Sequence, residues 1–372
     1  MKIASVMTTS ALGGAEFAAT ELLDALVERG HEAVVLTDQP AIARDRPLRV
    51  RELSIGPKLS RASWPALAAR WPSLRRRLRI ALQDEWPYDV LLVHFKKEQL
   101  LAADLPDRLR PRLVWAEWGP VPFPLRRGLP RRIYLRAAGA AGAVMAVSEG
   151  TMESLASVGV PRERIHVVPN AMRTEEIRFN ATGRERVRRQ LGIPADAFVV
   201  GCISRFHPKK RNDVVVDAVG ALGSGHLVMA GGGETEGELR SRAAALGDRA
   251  HFLPTPGADI DEVLSAFDVS VFCPSPTEGA PRAVILGMLA ERPCVSTGAE
   301  GVADMLGNGS GRIISPENDP AALAAVLRDY AADPEGRAVE GSRARELAVR
   351  RYDAGVVAER VERLLEGAEK RG

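Results

Sequence analysis

Cysteine is scarce in this sequence, and its placement is informative. Cys202, Cys273 and Cys294 lie in apolar strand-like segments and form no CxxC pair. This arrangement favours buried thiols over disulfides, metal ligands or a nucleophile. The Walker A, HExxH and Gly-x-Ser-x-Gly motifs are also absent. The sequence therefore does not indicate the chemistry that those motifs carry.

Net charge and long apolar runs are equally sparse. The formal net charge is only +3, so basicity is a local feature that does not indicate a nucleic-acid partner. No apolar run is long enough to span a membrane, and the chain passes from Met1-Lys2 directly into a short strand without the layout of a signal peptide. We therefore expect a cytoplasmic protein.

Short apolar segments alternate with amphipathic helical segments along the whole chain. With 45% hydrophobic and 27% charged residues, the 372-residue chain is typical of a globular protein with two domains. The alternation predicts an α/β fold with parallel sheets, in which ligands bind outside the carboxyl ends of the strands. The polar segment 173–189 separates the two halves. The predicted strands are 3–7, 33–36, 88–94, 112–119, 143–148, 164–170, 198–205, 226–230, 251–254, 268–273 and 294–297.

The stretch 274–290 is the most informative. An apolar strand precedes it and a helix entered through Pro281 follows, so Glu278 lies on a strand-to-helix loop. The free N–H groups of such a helix can bind an anion, and a neighbouring carboxylate can take a sugar hydroxyl or a developing positive charge. This combination fits a nucleotide diphosphate sugar. The alternative is a solvated glutamate before a helix.

Two further strand-to-helix loops carry groups suited to phosphate. Gly13 and Gly14 follow the first strand and would let a backbone N–H approach a phosphate, although the pattern is not GxGxxG and a tight turn is the alternative. In the second half, Arg205 could donate two hydrogen bonds to phosphate oxygens and Lys210 could add a point charge. A solubilising surface patch is the alternative there.

Candidate acceptor groups end two strands of the first half. His94 and Glu117 would point into the same crevice of a parallel sheet, and Glu117, beside Trp118, could orient or deprotonate an acceptor. A surface carboxylate paired with an arginine is the alternative for Glu117.

The segment 61–82 combines tryptophans and leucines at helical spacing with several arginines. Pro65 and Pro72 predict two short helices, because each proline removes a helix hydrogen bond. A basic face beside tryptophan suits an anionic membrane or an acidic acceptor. The alternative is an apolar stripe that packs in the core while the arginines face water.

In this order and spacing, the motifs resemble family 4 glycosyltransferases of the GT-B fold, the retaining, nucleotide-sugar-dependent group. The matching pieces are Gly13-Gly14-Ala15-Glu16, Val168-Pro169-Asn170, Arg205 with Lys210, the glycines 231–233 and Glu278-Gly279-Ala280-Pro281. The resemblance covers nearly the whole chain and implies two Rossmann-like doubly wound domains that face a central cleft. The expected parts are an acceptor-binding domain at 1–172, a donor-nucleotide-binding domain at 173–350 and a helix within 351–372 that returns to the first domain.

The resemblance also implies roles for individual residues. Gly14 would offer a backbone N–H to the donor diphosphate, Arg205 and Lys210 would clamp that diphosphate, and Glu278 would contact the transferred sugar. The expected catalytic residues are Glu278, Arg205, Lys210 and Glu117. The expected donor contacts are Gly13, Gly14, Arg205, Lys210, Pro281, Arg282, Ala283 and Leu286.

No metal or cofactor is expected. The two cationic side chains and a helix N-terminus already supply positive charge to the leaving diphosphate. The single DxD, 259–261, has the spacing of a capping box with Glu262. We expect transfer of a hexose to a small-molecule, glycan or lipid-linked acceptor, no nucleic-acid partner, and peripheral membrane contact through 61–82.

Two positions depart from the family pattern. The second glutamate of the family motif, eight residues after the first, is Leu286 here, and Trp118 replaces an acceptor-side histidine. These departures keep open a non-catalytic member of the fold that binds a nucleotide sugar or a partner enzyme. A sugar-nucleotide epimerase is a third possibility, with Glu117, His94 and Glu278 as its acid or base candidates.

Overall fold

The computed structural model describes residues 1–9, 13–43, 46–60, 62–255, 257, 259–275, 278–299, 301–307, 309–316 and 318–367. The chain forms two compact units. Unit 1 consists of Met1–Met172 together with Ala354–Gly372, and unit 2 consists of Arg173–Asp353. In the described residues each unit contains its own parallel sheet with helices, so the expected α/β class is confirmed.

The sheet of unit 1 has seven strands in the described part of the chain, in the order β3-β2-β1-β4-β5-β6-β7. Every neighbouring pair is parallel. The strand order reverses between β1 and β4, and we call such a place a switch point. Its strands are β1 Lys2–Val6, β2 Glu32–Thr37, β3 Arg49–Glu52, β4 Val90–Val93, β5 Leu113–Glu117, β6 Ala143–Ala146 and β7 Ile165–Val167.

Helices cover both faces of this sheet, which explains why the central strands are apolar on both sides. The first helices are α1 Gly14–Glu28, α2 Trp64–Glu85, α3 Lys96–Ala103, α4 Gly128–Ala138 and α5 Glu149–Val158. One core lies between the sheet and α2 to α5, and a second lies on the face that α1 covers. Ser148 caps α5, because Thr151 N donates to Ser148 Oγ at 3.2 Å.

Residues 64–82 of the segment 61–82 lie in one helix, α2, so the predicted division into two short helices is wrong. Pro65 lies in the first turn of α2, where its missing N–H needs no helical partner. Pro72 lies inside the helix, and the carbonyl that it leaves without a donor belongs to the exposed Ala68, which water can reach. Leu67, Leu74 and Leu78 nevertheless face the core as their spacing indicates.

The sheet of unit 2 has six strands in the described residues, in the order β10-β9-β8-β11-β12-β13. Its switch point lies between β8 and β11. The strands are β8 Val199–Ile203, β9 His226–Ala230, β10 Ala250–Leu253, β11 Val269–Phe272, β12 Cys294–Ser296 and β13 Gly311–Ile313. The helices are α6 Ala181–Gln190, α7 Asn212–Leu222, α8 Glu236–Ala243, α9 Ile260–Ala266, α10 Arg282–Leu289, α11 Pro320–Ala332 and α12 Pro334–Tyr352. All three cysteines are buried free thiols, as predicted.

The predicted capping box at α9 is absent. Asp259 does occupy the N-cap position, but its side chain caps no helical N–H and instead accepts from Gly257 N at 3.0 Å. Asp261 accepts from the Asn180 side chain at 3.0 Å. The carboxylates of the DxD sequence are therefore engaged in local structure, by bonds other than those that the spacing predicted.

The last helix, α13 Ala354–Gly367, belongs to unit 1 although it follows unit 2 in sequence. It packs against α1. Val357, Val361 and Leu365 are buried in the core on that face of the sheet. Ala354 N also donates to the Met172 carbonyl at 2.8 Å. The expected return of the final helix to the first domain is thus confirmed.

Candidate functional site

In unit 2, the predicted residues lie on loops that follow the two strands of the switch point. Arg205 and Lys210 follow β8, and Glu278 follows β11. Because β8 and β11 are parallel neighbours, their carboxyl ends lie at the same edge of the sheet. The Ser275 N–H donates to the Lys209 carbonyl at 2.8 Å and joins the two loops directly. The topology therefore brings the candidate groups to the position where open α/β sheets bind ligands.

Lys210 and Glu278 form an ion pair. The ammonium of Lys210 donates to both carboxylate oxygens of Glu278 at 2.9 Å, and 22% and 27% of the two side chains are exposed. Lys210 Nζ also lies 5.0 Å from the centroid of the Phe272 ring. The sequence assigned these residues to different parts of a ligand. The structure brings them together, so an incoming anion would compete with Glu278 for Lys210.

A glycine loop supports the segment that carries Arg205. Gly231 and Gly233 have φ angles of 154° and 152°, and a Cβ atom there would lie 2.0 Å from the Ser204 carbonyl oxygen and 2.3 Å from that of Phe206. Glycine is therefore required at both positions for close backbone packing. The Arg205 side chain itself is exposed. The glycines thus fix the backbone around Arg205, while its side chain remains exposed.

The helix α10 begins beside Glu278. Pro281 is its N-cap residue and is buried, whereas Arg282, Ala283 and Leu286 are half-buried. A ligand in unit 2 could therefore contact the last three side chains, and could contact Pro281 through its backbone. The Leu286 side chain supplies no hydrogen-bonding group.

The glycine pair of unit 1 begins α1 at the other switch point. Gly13 is the N-cap residue with extended backbone, and Gly14 is the first helical residue. Glu16 in the first turn is buried and accepts from Lys58 Nζ at 2.8 Å. The glutamate charge is thereby balanced, and the N–H groups of the first turn remain suited to an anion.

His94 and Glu117 lie on opposite faces of the sheet, so the predicted common crevice is wrong. Val93 pairs in register with Trp115, which places His94 level with Ala116 rather than with Glu117. Successive side chains of a strand alternate between faces. A shift of one residue between two strand ends therefore separates the two groups.

His94 is a buried neutral imidazole. Only 2% of the residue is exposed, its Nε2 lies 2.8 Å from Ser5 Oγ, and its ring stacks on Trp118 with centroids 5.8 Å apart. Burial lowers the pKa of His94 to about 3. Trp118, which replaces the acceptor-side histidine of the family pattern, thus packs against His94.

Glu117 is neither exposed nor paired with an arginine, in contrast to the alternative considered above. It is 5% exposed, and both of its carboxylate oxygens accept hydrogen bonds from the Lys96 ammonium. Tyr134 Oη donates to it at 2.9 Å. Burial lowers the pKa of Lys96, an effect that Glu117 opposes, and the pKa of Tyr134 is raised by burial and by the nearby carboxylate.

The sequence prediction missed the charged residues that follow β4. Lys97 and Glu98 are fully buried, and the Thr8 N–H at the end of β1 donates to Glu98 at 3.2 Å. Burial raises the pKa of Glu98 and lowers that of Lys97. The available signal was the run of charges directly after an apolar strand at the switch point.

Two family models match the chain. The model described as Glycosyltransferase Family 4 matches residues 12–176, and the model described as Glycosyl transferases group 1 matches residues 197–333. The two matched ranges contain the candidate loops of units 1 and 2, respectively.

Curated relatives agree with these matches. The chain is 25% identical over 349 residues to the 2-deoxystreptamine glucosyltransferase of Streptomyces kanamyceticus, with 83% of this chain and 87% of the relative covered. It is 30% identical over 204 residues to the D-inositol 3-phosphate glycosyltransferase of Streptomyces avermitilis, where the match covers 50% of this chain and 43% of the relative.

Solved structures share the fold. The structure of HepE from Anabaena in complex with UDP-glucose has a TM-score of 0.84 and 22% identity, with 98% of this chain and 99% of HepE covered. The structure of WaaG, a glycosyltransferase involved in lipopolysaccharide biosynthesis, has a TM-score of 0.73 and 17% identity, with 98% and 100% of the two chains covered.

Proposed function

The chain belongs to glycosyltransferase family 4, and we propose that it binds the diphosphate of a nucleotide sugar at the switch point of unit 2 and transfers the sugar to an acceptor. The observation that carries this proposal is the Lys210–Glu278 pair, which joins a cation and a carboxylate at the carboxyl ends of β8 and β11. The matched relatives are described as transferases, so the non-catalytic and epimerase alternatives gain no support.

Donor binding would exchange the partners of Lys210. The diphosphate accepts hydrogen bonds from the Lys210 ammonium and the Arg205 guanidinium, and Glu278 is released to contact the sugar. As the bond between sugar and diphosphate breaks, negative charge grows on the leaving oxygen and positive charge on the anomeric carbon. Both cations then bind more tightly in the transition state than in the ground state, which accelerates the reaction.

The stereochemical outcome follows from the same arrangement. We infer retention, in which the diphosphate departs and the acceptor attacks on the same face of the sugar. Glu278 stabilises the developing positive charge near the anomeric carbon. The catalytic assignment of Glu117 and the assignment of Gly14 to the diphosphate both remain predictions.

The donor class is supported by chemistry and by similarity. HepE, which has the same fold, was solved with UDP-glucose, and a relative from S. kanamyceticus is named a glucosyltransferase. UDP-glucose is therefore the first donor to test. The acceptor is a small molecule, a glycan or a lipid-linked compound that presents a hydroxyl or an amine.

A divalent metal is unnecessary in this proposal, because Lys210, Arg205 and the start of α10 supply positive charge where a metal would. Turnover should therefore persist in excess EDTA, and a loss that Mg²⁺ or Mn²⁺ restores would contradict this part of the proposal.

We place the enzyme in the cytoplasm, with peripheral membrane contact through 61–82. Within the described part of the chain, no helix has both the length and the apolar character required to cross a bilayer.

The experiment compares UDP and UDP-glucose by calorimetry, together with UDP release in the presence of an acceptor panel. Lys210→Ala should weaken UDP binding about 10- to 150-fold, as expected for one charge-assisted hydrogen bond of about 1.5–3 kcal/mol. Glu278→Gln should reduce turnover while UDP still binds at least as tightly as to the wild type. Lys209→Ala, which alters the adjacent exposed lysine, is the matched control.

Wild-type binding and turnover in Lys210→Ala would show that the diphosphate site is assigned to the wrong residue. An equal loss of affinity for UDP and UDP-glucose in Glu278→Gln would contradict its contact with the sugar.

A further inference from the structure

Unit 1 contains an apolar cavity of about 480 Å³, and none of its lining residues belongs to the donor site of unit 2. Its volume lies within the range of about 300–1,000 Å³ that is typical of ligand pockets. The wall is formed where the start of α2 meets α4 and the segment before α4. The main apolar side chains are Leu59, Trp64, Leu100, Leu125, Leu129 and Ile133.

Large apolar side chains are exposed around this cavity. Trp64 and Ile133 are 45% and 44% exposed, and Leu129 is 68% exposed. Phe123, also 68% exposed, lies between two prolines of the cavity wall. Such a cluster on one unit is unusual for a surface that contacts water alone and is typical of a binding surface.

Two of the segments that contribute to the wall are strongly basic. Segment 57–82 contains seven Lys or Arg residues and no Asp or Glu, and segment 119–147 contains five and none, whereas the whole chain has a net charge of only +3. Exposed arginines of this set include Arg75, Arg76 and Arg132. Positive charge is thus concentrated on two of the segments that contribute residues to the cavity wall.

The polar groups in the wall are already engaged. Lys96 and Tyr134 both line the cavity, and both bind the buried carboxylate of Glu117. The charge of Lys96 is therefore balanced inside the protein. The interior suits hydrocarbon, while the surrounding surface suits anions.

We propose that this cavity and its two basic segments dock unit 1 onto an anionic lipid bilayer, with a lipid hydrocarbon chain in the cavity and headgroup phosphates on the arginines of α2 and α4. The proposal rests on the membrane contact through 61–82 and extends it, because it adds α4 and assigns the cavity an occupant. An acidic protein surface would satisfy the arginines but would leave the apolar cavity without a partner.

Vesicle co-sedimentation tests the docking. The full-length protein should bind phosphatidylglycerol vesicles about tenfold or more tightly than phosphatidylcholine vesicles, and binding should weaken in 0.5 M salt because exposed charges are screened. Arg75→Glu with Arg76→Glu tests the basic surface of α2, and Leu129→Asp with Ile133→Asp tests the cavity wall. Each double variant should lose at least about tenfold in vesicle affinity.

Matched controls lie in unit 2. Arg328→Glu alters an exposed arginine of α11, and Val339→Asp alters an apolar side chain of α12 that is 51% exposed. Both controls should bind vesicles like the wild type. Equal losses in the controls would show that the effect is a nonspecific consequence of changing surface charge, and would overturn the proposal.

Entry of a lipid hydrocarbon chain into the cavity is measured separately, by tryptophan fluorescence. Vesicles with brominated acyl chains should quench the fluorescence of Trp64, and Trp64→Phe should lose that part of the quenching. Two results would overturn the cavity assignment and leave the contact through 61–82 intact. One is identical quenching in the wild type and in Trp64→Phe. The other is a loss of vesicle affinity in Arg75→Glu with Arg76→Glu but not in Leu129→Asp with Ile133→Asp.

The failure of docking and the failure of the transferase proposal are distinguishable. A protein that binds UDP and turns over donor but ignores both vesicle types would refute only the docking. A protein that binds anionic vesicles but not nucleotides would refute only the donor site. Binding to an acidic protein surface without vesicle binding would assign the basic segments to a different partner and overturn the proposal.

Discussion

At the residue scale, the Lys210–Glu278 pair is suited to exchange. An ion pair between partly exposed side chains contributes only about 0–1 kcal/mol, because water screens the attraction. A charge-assisted hydrogen bond to a phosphate is worth about 1.5–3 kcal/mol. In the proposed donor complex, the diphosphate would therefore displace Glu278 with a net gain, and the released carboxylate would lie beside the ligand.

Leu286 gives a prediction about nucleotide selectivity. We predict that this side chain faces the nucleoside half of the donor, where a ribose hydroxyl without a partner costs about 1–3 kcal/mol. Deoxyribose has one hydroxyl fewer, so the wild type should bind UDP and thymidine diphosphate within about tenfold. Leu286→Glu should gain affinity selectively for UDP. Calorimetric titration of both nucleotides on both proteins measures this.

A wild-type preference for UDP of about a hundredfold or more, which corresponds to about 2.7 kcal/mol, would mean that another residue binds the ribose. Leu286→Ile, which changes the same position without adding a hydrogen-bonding group, serves as the control. Binding of UDP and thymidine diphosphate within about tenfold would make a thymidine diphosphate sugar a realistic donor beside UDP-glucose.

His94 predicts acid sensitivity of unit 1. Burial lowers its pKa to about 3, so below about pH 6.5 the unfolded chain takes up a proton that the folded chain does not. Stability should consequently fall by about 1 kcal/mol between pH 6.5 and pH 5.5 from this residue alone. Thermal midpoints across this range should fall less steeply for His94→Gln than for the wild type. His207→Gln, on a loop of unit 2, controls for the loss of an imidazole elsewhere, and equal slopes for His94→Gln and wild type would contradict the prediction.

At the element scale, the sequence pattern predicted the central strands and the edge strands β7 and β10, but not the edge strands β3 and β13. The strand β3 reads Arg-Val-Arg-Glu and pairs with one neighbour, so no apolar run marked it. The strand β13 has only three residues, Gly-Arg-Ile, so no apolar run marked it either. The single helix α2 was missed because a proline rule takes no account of a carbonyl that water can satisfy.

The candidate site was also predicted only in part from the sequence. Loops after apolar strands were recognisable, because residue types and sheet topology together place them at one edge. The pairing of Lys210 with Glu278 and the opposite directions of His94 and Glu117 depend on register and tertiary packing. A shift of one residue in register changes the face that a side chain occupies, and the sequence does not encode that register locally.

The glycine loop after β9 gives a prediction for this scale. Gly231→Ala would force a Cβ to within 2.0 Å of the Ser204 carbonyl oxygen at a φ of 154°, so the segment that carries Arg205 must move. We expect a stability loss of about 1–3 kcal/mol and weaker UDP binding. Gly237→Ala is the control, because no atom lies within 4 Å of the new Cβ and alanine favours the helix by about 0.5–1 kcal/mol. Denaturation and UDP titration compare the two variants, and equal behaviour would refute a role for the close approach.

At the scale of the whole molecule, the final helix completes a core that begins with the first strand. Leu365 is 2% exposed in the core that α1 and α13 share. Leu365→Ala should cost unit 1 about 2–5 kcal/mol. Val356→Ala alters a valine of α13 that is 44% exposed, and should stay within about 0.5 kcal/mol of the wild type. Calorimetric unfolding should show a lower midpoint for unit 1 alone, and a lower midpoint for unit 2 instead would contradict the assignment of α13.

The discontinuity of unit 1 also determines an order of events during synthesis. Domains fold as units while the chain leaves the ribosome, from the N-terminal end onward. Unit 2, however, is one continuous segment, whereas unit 1 lacks α13 until residue 354 and those after it have been translated. Unit 2 can therefore reach its native state first. Until α13 is synthesised, the core of unit 1 stays uncovered on the side of α1. A nascent chain that has left the ribosome up to residue 353 would contain a folded unit 2 and an incomplete unit 1, which is the species that a chaperone would recognise.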